Sequence, residues 1–385
     1  MGIKEAEVSL NIILIILVFG VIIFFHELGH FIVAKLNHVT VREFSIGFGP
    51  KLFQFHKKET QYTLRLIPLG GYCMMLSEIE EENENDENSF DKKSVWARMA
   101  VILAGPAMNF ILAFLFSMII IHFCGSDPAQ VGYVYSNEEA ALEEYAELAD
   151  ITVEEAEETL DAYFEGQYPA YEAGVEAGDT IISVEGSRVK NFREVQIYLE
   201  IYGDGSPVEL EIEKADGTRV TTSITPVETS SGYKFGIVSI GYVLPDSFLE
   251  LCEYSLNETR YWVKATFLSL KLILSRQVSS EEVSGPVGVA KSMNDTFNQA
   301  KESSMIDLFL NWLNYIVLLS VNLGVMNMIP IPGLDGGRFL FLLIEAVTRK
   351  KVPKEKENLV TLIGFVLVLA LMVVILFNDI KNVFF

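Results

Sequence analysis

Cysteine is nearly absent from this chain: Cys73, Cys124 and Cys252 are odd in number and far apart in 385 residues. That excludes a disulfide framework and a cysteine-ligated metal pattern. Basic charge is also in short supply, with 29 Lys and Arg against 52 Asp and Glu, a formal net charge of −23. Nucleic acid is excluded as a partner, because phosphate recognition needs a cationic face. A convincing secretory leader is missing too. Lys4 is offset by Glu5 and Glu7, and no small-residue cleavage site follows the first apolar run. Histidine is scarce, five in the whole chain, yet two of the five fall one helical turn apart.

What the chain has in plenty is apolar residues, half of its length. Together with the acidic excess this predicts a membrane protein with a segregated acidic part. Four segments are long and apolar enough to span a bilayer: Val8–Leu36, Met99–Cys124, about Ile306–Ile331, and Leu359–Phe377. The region between the first two carries nine Lys and Arg, from Lys35 to Arg98, and the region between the last two carries six, from Arg338 to Lys356. The positive-inside rule places both loops in the cytoplasm, so both termini and the long Gly125–Met305 segment face outward. That outer segment has only twelve Lys and Arg. The acidic patch Glu78–Glu87 does not oppose this, because acidic residues weigh little in the rule.

The paired histidines lie late in the first apolar run, in Phe24-Phe25-His26-Glu27-Leu28-Gly29-His30. On a helix, His26 and His30 share one face and can hold one Zn²⁺, with Glu27 beside them as general base. Ionisable groups inside a membrane segment cost at least ~2.5 kcal/mol each near its centre, so a cluster of three calls for a compensating partner such as a metal. The competing reading is three polar residues at a helix end facing headgroups.

A second polar site follows the third span, at Asn327-Met328-Ile329-Pro330-Ile331-Pro332-Gly333-Leu334-Asp335-Gly336-Gly337. Its prolines and glycines break a helix, and irregular backbone at membrane depth is tolerated where it lines a cavity. Asp335 there is either a carboxylate ligand or a turn Asp at a helix end. The first and third spans run in the same direction, which brings Asp335 to a depth similar to that of the histidines. In the second span, Gly105 permits close helix approach. Asn109 is an uncharged polar group in the bilayer that needs a partner, either across to another helix or on a substrate backbone. In the first loop, Gln61–Tyr72 alternates like a strand interrupted by Pro68, Gly70 and Gly71. It would serve either as an edge strand holding an extended substrate or as a connecting hairpin on the membrane surface.

The outer segment opens with an acidic stretch, Asn137–Glu165, whose Ala141, Tyr145, Leu148, Ala156, Leu160 and Tyr163 recur at helical spacing. A turn and strand over Gly174–Gly186, a helix over Arg193–Tyr202, and strands Val208–Lys214 and Arg219–Thr225 around Asp216-Gly217 predict a small β-rich domain. Phe248–Leu274 reads as an amphipathic helix along the membrane interface.

Taken in order, these motifs resemble the site-2 proteases, the intramembrane zinc metalloproteases, most of all the bacterial regulators of sigma-factor signalling. The resemblance rests on His26–His30, Phe44–Pro50, Ile67–Tyr72, Lys93–Arg98, Ala104–Phe110, Ser284–Gly288 and Asn327–Gly337. It implies that His26, His30 and Asp335 bind one Zn²⁺ per chain and that Glu27 is the catalytic acid/base. It also implies substrate contacts at Asn327 and Asn109, and at Leu69, Gly70 and Gly71 on a membrane-associated β-loop. Pro169–Gly186 resembles the core of a PDZ domain, which in that family screens substrates by size. One such module is expected where relatives in double-membraned bacteria usually carry two, and the acidic stretch 137–165 lies outside the family pattern.

The expected protein is a multi-pass α-helical membrane protein with four transmembrane helices, a cytoplasmic-side membrane-associated β-loop and one extracytoplasmic PDZ-like domain. Its expected parts are a first span over 1–36, a loop over 37–98, a second span over 99–124 and the PDZ-like domain over 125–245. An interfacial linker over 246–305, a third span over 306–337, a loop over 338–358, a fourth span over 359–377 and a tail over 378–385 complete it. By resemblance it sits in the bacterial cytoplasmic membrane and cuts a single-span membrane protein, such as an anti-sigma factor or a remnant signal peptide. The lipid bilayer is a partner, and the resemblance leaves room for an upstream site-1 protease acting first. The alternative is a non-enzymatic receptor or scaffold with a peptide-binding module, which has no use for a third ligand at the histidines' depth. A metal transporter would instead spread polar residues through several spans.

Overall fold

The computed structural model describes all residues except Met1, 77–86, 139–140, 144, 147–150, 165, 231, 276–284 and Phe385. For 2–9, 68–69, 161 and 382–384 it describes the backbone alone. Most of the acidic patch Glu78–Glu87, parts of 137–165, Ser284 and the Leu69 side chain thus lie outside the described residues. The chain forms two compact units, Met1–Ser117 with Trp262–Phe385, and Met118–Tyr261.

In chain order, α1 spans Gly2–Leu36, followed by strands β1 (Val41–Lys57) and β2 (Thr60–Met75) and helix α2 (Val95–Cys124). The central part holds β3 (Val131–Val134), α3 (Val153–Phe164), α4 (Pro169–Glu172), β4 (Thr180–Val184) and β5 (Ser187–Arg188). It continues with α5 (Phe192–Tyr202), β6 (Val208–Glu213), β7 (Arg219–Ile224), β8 (Val227–Thr229), β9 (Gly232–Lys234) and β10 (Ile237–Ser239). The C-terminal part is helical: α6 (Phe248–Leu274), α7 (Pro286–Ser303), α8 (Met305–Met328), α9 (Asp335–Thr348) and α10 (Lys354–Phe384). Among the described residues, four helical stretches are long and apolar enough to cross a membrane: Leu10–Leu36, Val95–Cys124, Met305–Met328 and Lys354–Lys381. Helices suit that role because their backbone groups are satisfied internally where no water is available. Exposed Ile12, Ile13, Ile16 and Leu17 on α1, and Leu362, Val366, Val373 and Val374 on α10, are apolar surface fit for lipid.

In the first unit, Val18 and Ile22 of α1, Leu112 of α2, Met293 and Phe297 of α7, and Leu308 and Ile316 of α8 form one buried cluster. Ala34, Val39, Val41, Phe44, Cys73, Met75 and Val101 form a second, which seats the β1–β2 sheet on α1. That sheet is more folded than a hairpin. Residues 43–46 of β1 have Gln61–Leu64 on one side and Gly71–Met74 on the other, while Phe53–Lys57 pair back onto Thr60–Leu64. β2 therefore reverses at the Pro68–Gly70 interruption, where Gly70 adopts a φ of 95° that L residues avoid. Its 71–75 part lies beside Ile23 and Glu27 of α1, and Tyr62 of its first part meets Phe31 of α1 with ring centroids 5.9 Å apart. Phe48, Leu52, Phe53, Leu66 and Ile67 leave the sheet's far end apolar and exposed.

The break after α8 is tight. A side chain on Gly336 or Gly337 would collide with the carbonyls of Ile329 and Ile331, so two adjacent glycines let the Pro-rich segment fold onto the start of α9. The segment expected as a loop after Gly337 is helical as far as Thr348, because Leu342 packs on Met99 and Ile102 of α2. At the start of α7, the N–H groups of Gly285, Val287 and Gly288 all donate to the buried Asp379 carboxylate of α10. This explains the Gly-Pro-Val-Gly motif: the helix N-terminus supplies unpaired donors, and a carboxylate is their natural partner.

In the second unit, a four-stranded sheet of order β5-β4-β6-β7 stands with the pair β10-β3 and the pair β8-β9. Its core includes Leu210 and Ile212 from alternate positions of β6, Ile224 of β7, and Ile181 and Val184 of β4, which share the core across a register shift in that strand. Arg193 bridges Asp127 and Glu258 while lying over the Tyr261 ring at 4.5 Å, so both partly buried carboxylates are neutralised by one guanidinium. Burial alone would lower the Arg193 pKa, but Glu258 and Asp127 raise it above the usual arginine range.

Candidate metal centre

His26 and His30 project from one face of α1, as a four-residue spacing dictates. Their Nε2 atoms lie 3.3 Å apart. Asp335, the first residue of α9, places Oδ2 3.2 Å from His26 Nε2 and 3.4 Å from His30 Nε2. Both imidazoles are buried, and Asp335 Oδ2 is a buried oxygen with no hydrogen-bond donor among the described residues. Three donor atoms thus form a nearly equilateral triangle. Zinc bonds of about 2.0–2.2 Å at tetrahedral angles require donors about 3.3–3.6 Å apart, so the side chains present fit such an ion and leave a fourth position open.

The surroundings decide which ring nitrogens face that point. His30 Nδ1 lies 2.8 Å from the Val101 carbonyl of α2, an acceptor, so Nδ1 carries the proton and Nε2 keeps its lone pair. His26 Nδ1 lies 3.1 Å from the amide Nδ2 of Asn109, whose Oδ1 is buried without a partner. Asn109 is itself fully buried, and its backbone carbonyl accepts from Ser320 of α8.

Gly105 stands one turn before Asn109 on the same face of α2. A Cβ there would overlap His30 Nε2 and crowd His26, so glycine makes the space the two rings occupy. A side chain at Gly29 would likewise strike the Ala104 backbone. Pro106 adjoins this close approach and removes an N–H from the α2 ladder there.

Glu27 points toward the sheet instead. Its carboxylate accepts the backbone N–H of Cys73, and Gly71 of β2 sits where a Cβ would meet the Glu27 side chain at 3.1 Å and the Ser45 carbonyl at 2.8 Å. The 71–75 strand is paired with β1 on one side only among the described residues. Asn327, half-buried at the end of α8, makes no side-chain hydrogen bond to another described residue. Of the residues named from the sequence, His26, His30 and Asp335 come together, Glu27 and Gly71 lie beside them, and Asn109 contacts a histidine. Val101 was missed, because a backbone carbonyl leaves no mark in a sequence. The role of Gly105 toward the rings was missed as well, although its one-turn spacing from Asn109 placed both on one face.

A histidine–histidine–carboxylate set with a neighbouring glutamate, held among membrane-spanning helices, defines a metal-dependent hydrolase of the bilayer. The model of peptidase family M50 matches residues 14–371, and the chain belongs to that family. A Clostridium acetobutylicum relative is 34% identical over 96% of this chain and 97% of its own length. A Geobacillus kaustophilus relative named zinc metalloprotease RasP is 30% identical over 97% of this chain and 98% of its own length. The Bacillus subtilis relative named regulator of sigma-W protease RasP is 28% identical over 97% and 99%. The protein is an intramembrane zinc metalloprotease, a metalloendopeptidase, and not a non-enzymatic receptor.

Proposed function

We propose that His26, His30 and Asp335 hold one Zn²⁺ and that Glu27 is the acid/base that hydrolyses a peptide bond in or beside the transmembrane helix of a single-span protein. The triangle of donor atoms at 3.2, 3.3 and 3.4 Å carries this reading. Bound zinc supplies Lewis acidity for the scissile carbonyl and brings the pKa of a water to about 7. Glu27 takes a proton from the attacking water and passes it to the leaving amine. Asn109 orients its amide so that Oδ1 accepts from His26 Nδ1–H, which keeps the lone pair on Nε2. In this reading it is a positioning residue, in place of the substrate contact that the resemblance implies.

A helical substrate hides its backbone in its own hydrogen bonds and must unwind before it is cut. The open edge of the 71–75 strand, beside Glu27, supplies replacement partners, and Gly70 and Gly71 keep that edge free of side chains. The Asn327 amide, without a side-chain hydrogen bond among the described residues, suits the same task. The loops bearing Lys and Arg lie in the cytoplasm and the Gly125–Met305 segment lies outside, with the PDZ-like module over 125–245, a sidedness supported by the charge asymmetry. The host membrane is the bacterial cytoplasmic membrane. A substrate from the anti-sigma-factor class is in keeping with the Bacillus subtilis relative, a regulator of sigma-W protease, and another protease would cut that substrate first.

The test pairs metal analysis with cleavage. Purified Glu27→Gln retains about one zinc per chain and fails to cut a reconstituted single-span substrate, while His26→Ala and Asp335→Ala lose zinc. Cleavage by Glu27→Gln at the wild-type rate, or full zinc in both ligand variants, would sink the assignment.

A further inference from the structure

The charge of this protein is confined to one unit. Met118–Tyr261 contains 29 of the 52 acidic residues and 7 of the 29 Lys and Arg, a net of −22, which leaves −1 for all the rest. Twelve of those acids fall in 138–165, where there is no Lys or Arg. Surface acids on α3, among them Glu154, Glu157 and Glu158, are exposed. A charge this lopsided destabilises a small unit through self-repulsion, so its retention calls for a use.

The same unit holds a cavity of about 1140 Å³. One wall is α5, which presents Val195, Gln196, Leu199 and Glu200. Facing it is the run from Gly232 to Ser239, including β10, which pairs with β3 alone among the described residues. The end wall comes from the acidic stretch: Tyr145 and Phe164 pack on Tyr135 with ring centroids 5.8 and 5.3 Å away, and Tyr163 packs on Phe164 at 4.9 Å. Among the described residues, the charged side chains in the lining are Glu200 and Lys234.

We propose that this cavity binds an extended peptide bearing Lys or Arg, so that the module selects partners by charge in addition to any screening by size. β10 offers backbone N–H and C=O groups to an added strand, whose alternate side chains then enter the cavity. A basic side chain lays its aliphatic stem on the tyrosine rings and keeps its cation near Glu200, where ring faces and carboxylate both attract it. Acidic peptides meet the field of −22 and are repelled, and association of basic ones is steered and weakened by salt. Binding here is separate from cleavage, so its failure leaves the protease assignment standing.

The test uses the full-length Glu27→Gln chain in lipid nanodiscs and fluorescent peptides of alternating Val and Lys, Val and Glu, or Val and Ser, followed by anisotropy. The Lys peptide binds at least about tenfold more tightly than the Ser peptide, the Glu peptide does not bind, and high salt removes the preference. Exposed Gln196→Trp fills the groove and exposed Glu200→Lys reverses its rim charge; each weakens the Lys peptide about tenfold. A triple Glu154→Gln, Glu157→Gln, Glu158→Gln variant, altered only on the surface, lowers the association rate. Equal binding of the three peptides, or Lys-peptide binding untouched by both groove variants, would overturn the proposal.

Discussion

Asn109 Nδ2 and His26 Nδ1 lie 3.1 Å apart in the interior of the membrane unit, joined across 83 residues of sequence. With the Asn109 amide turned so that Oδ1 faces His26 Nδ1–H, as proposed above, Nε2 keeps its lone pair, because an imidazole with one nitrogen engaged by an acceptor presents the other to a metal. Replacing Asn109 with Leu therefore lowers zinc affinity by about 10–100-fold in chelator competition. Asn109→Asp, which still accepts from His26 Nδ1, restores most of it. A substrate-contacting Asn109 would instead leave zinc affinity alone and raise KM.

Gly105→Ala adds one methyl group where the two imidazoles sit. Since Ala suits a helix better than Gly, secondary structure and melting in detergent are unharmed. Zinc binding drops by about 100-fold or more because a ring must leave its position. Inductively coupled plasma analysis beside circular dichroism separates the two effects. Normal zinc content in Gly105→Ala would contradict the packing described above.

Gly71→Val tests the strand beside Glu27. Valine favours a strand, yet its Cβ meets the Ser45 carbonyl and the Glu27 side chain. The edge shifts away from the glutamate, and kcat falls about tenfold or more while zinc is retained. Unchanged kcat on a membrane-embedded substrate would remove the strand from the cleavage step.

Asp379→Ala leaves three backbone N–H groups at the start of α7 without their carboxylate. Loss of these charge-assisted bonds costs at least ~2 kcal/mol. Hydrogen exchange shows it as faster exchange at Val287 and Gly288, while zinc content holds.

Much of this was legible in the chain because the bilayer enforces simple rules. A helical segment that crosses lipid needs a long apolar run, so the four candidate spans could be read within a few residues of the ends of the matching helices. The histidine pair could be read because helical spacing alone puts His26 and His30 on one face. The reversal of β2 was less legible. Pro68 and the glycines marked an interruption, but not that residues 43–46 would take neighbours on both sides. The helix from Asp335 to Thr348 was hidden for a different reason: its arginine and its glycine start resemble a loop until Leu342 finds Met99 and Ile102.

The sequence by itself determined the kinds of chemistry available: two imidazoles a turn apart, a glutamate between them, carboxylates and amides in otherwise apolar runs, and an acid excess too large for the spans to hold. Only the tertiary structure decided which of them act together. Asp335 is 305 positions from His30, and nothing in spacing brings it within 3.4 Å of that ring. The fold does so through glycines: Gly105 clears the space for the rings, and Gly336 with Gly337 lets the Pro-rich break turn Asp335 toward them. A glycine records only that a side chain is absent, and what fills the vacated space is known only once the neighbouring helix is in place.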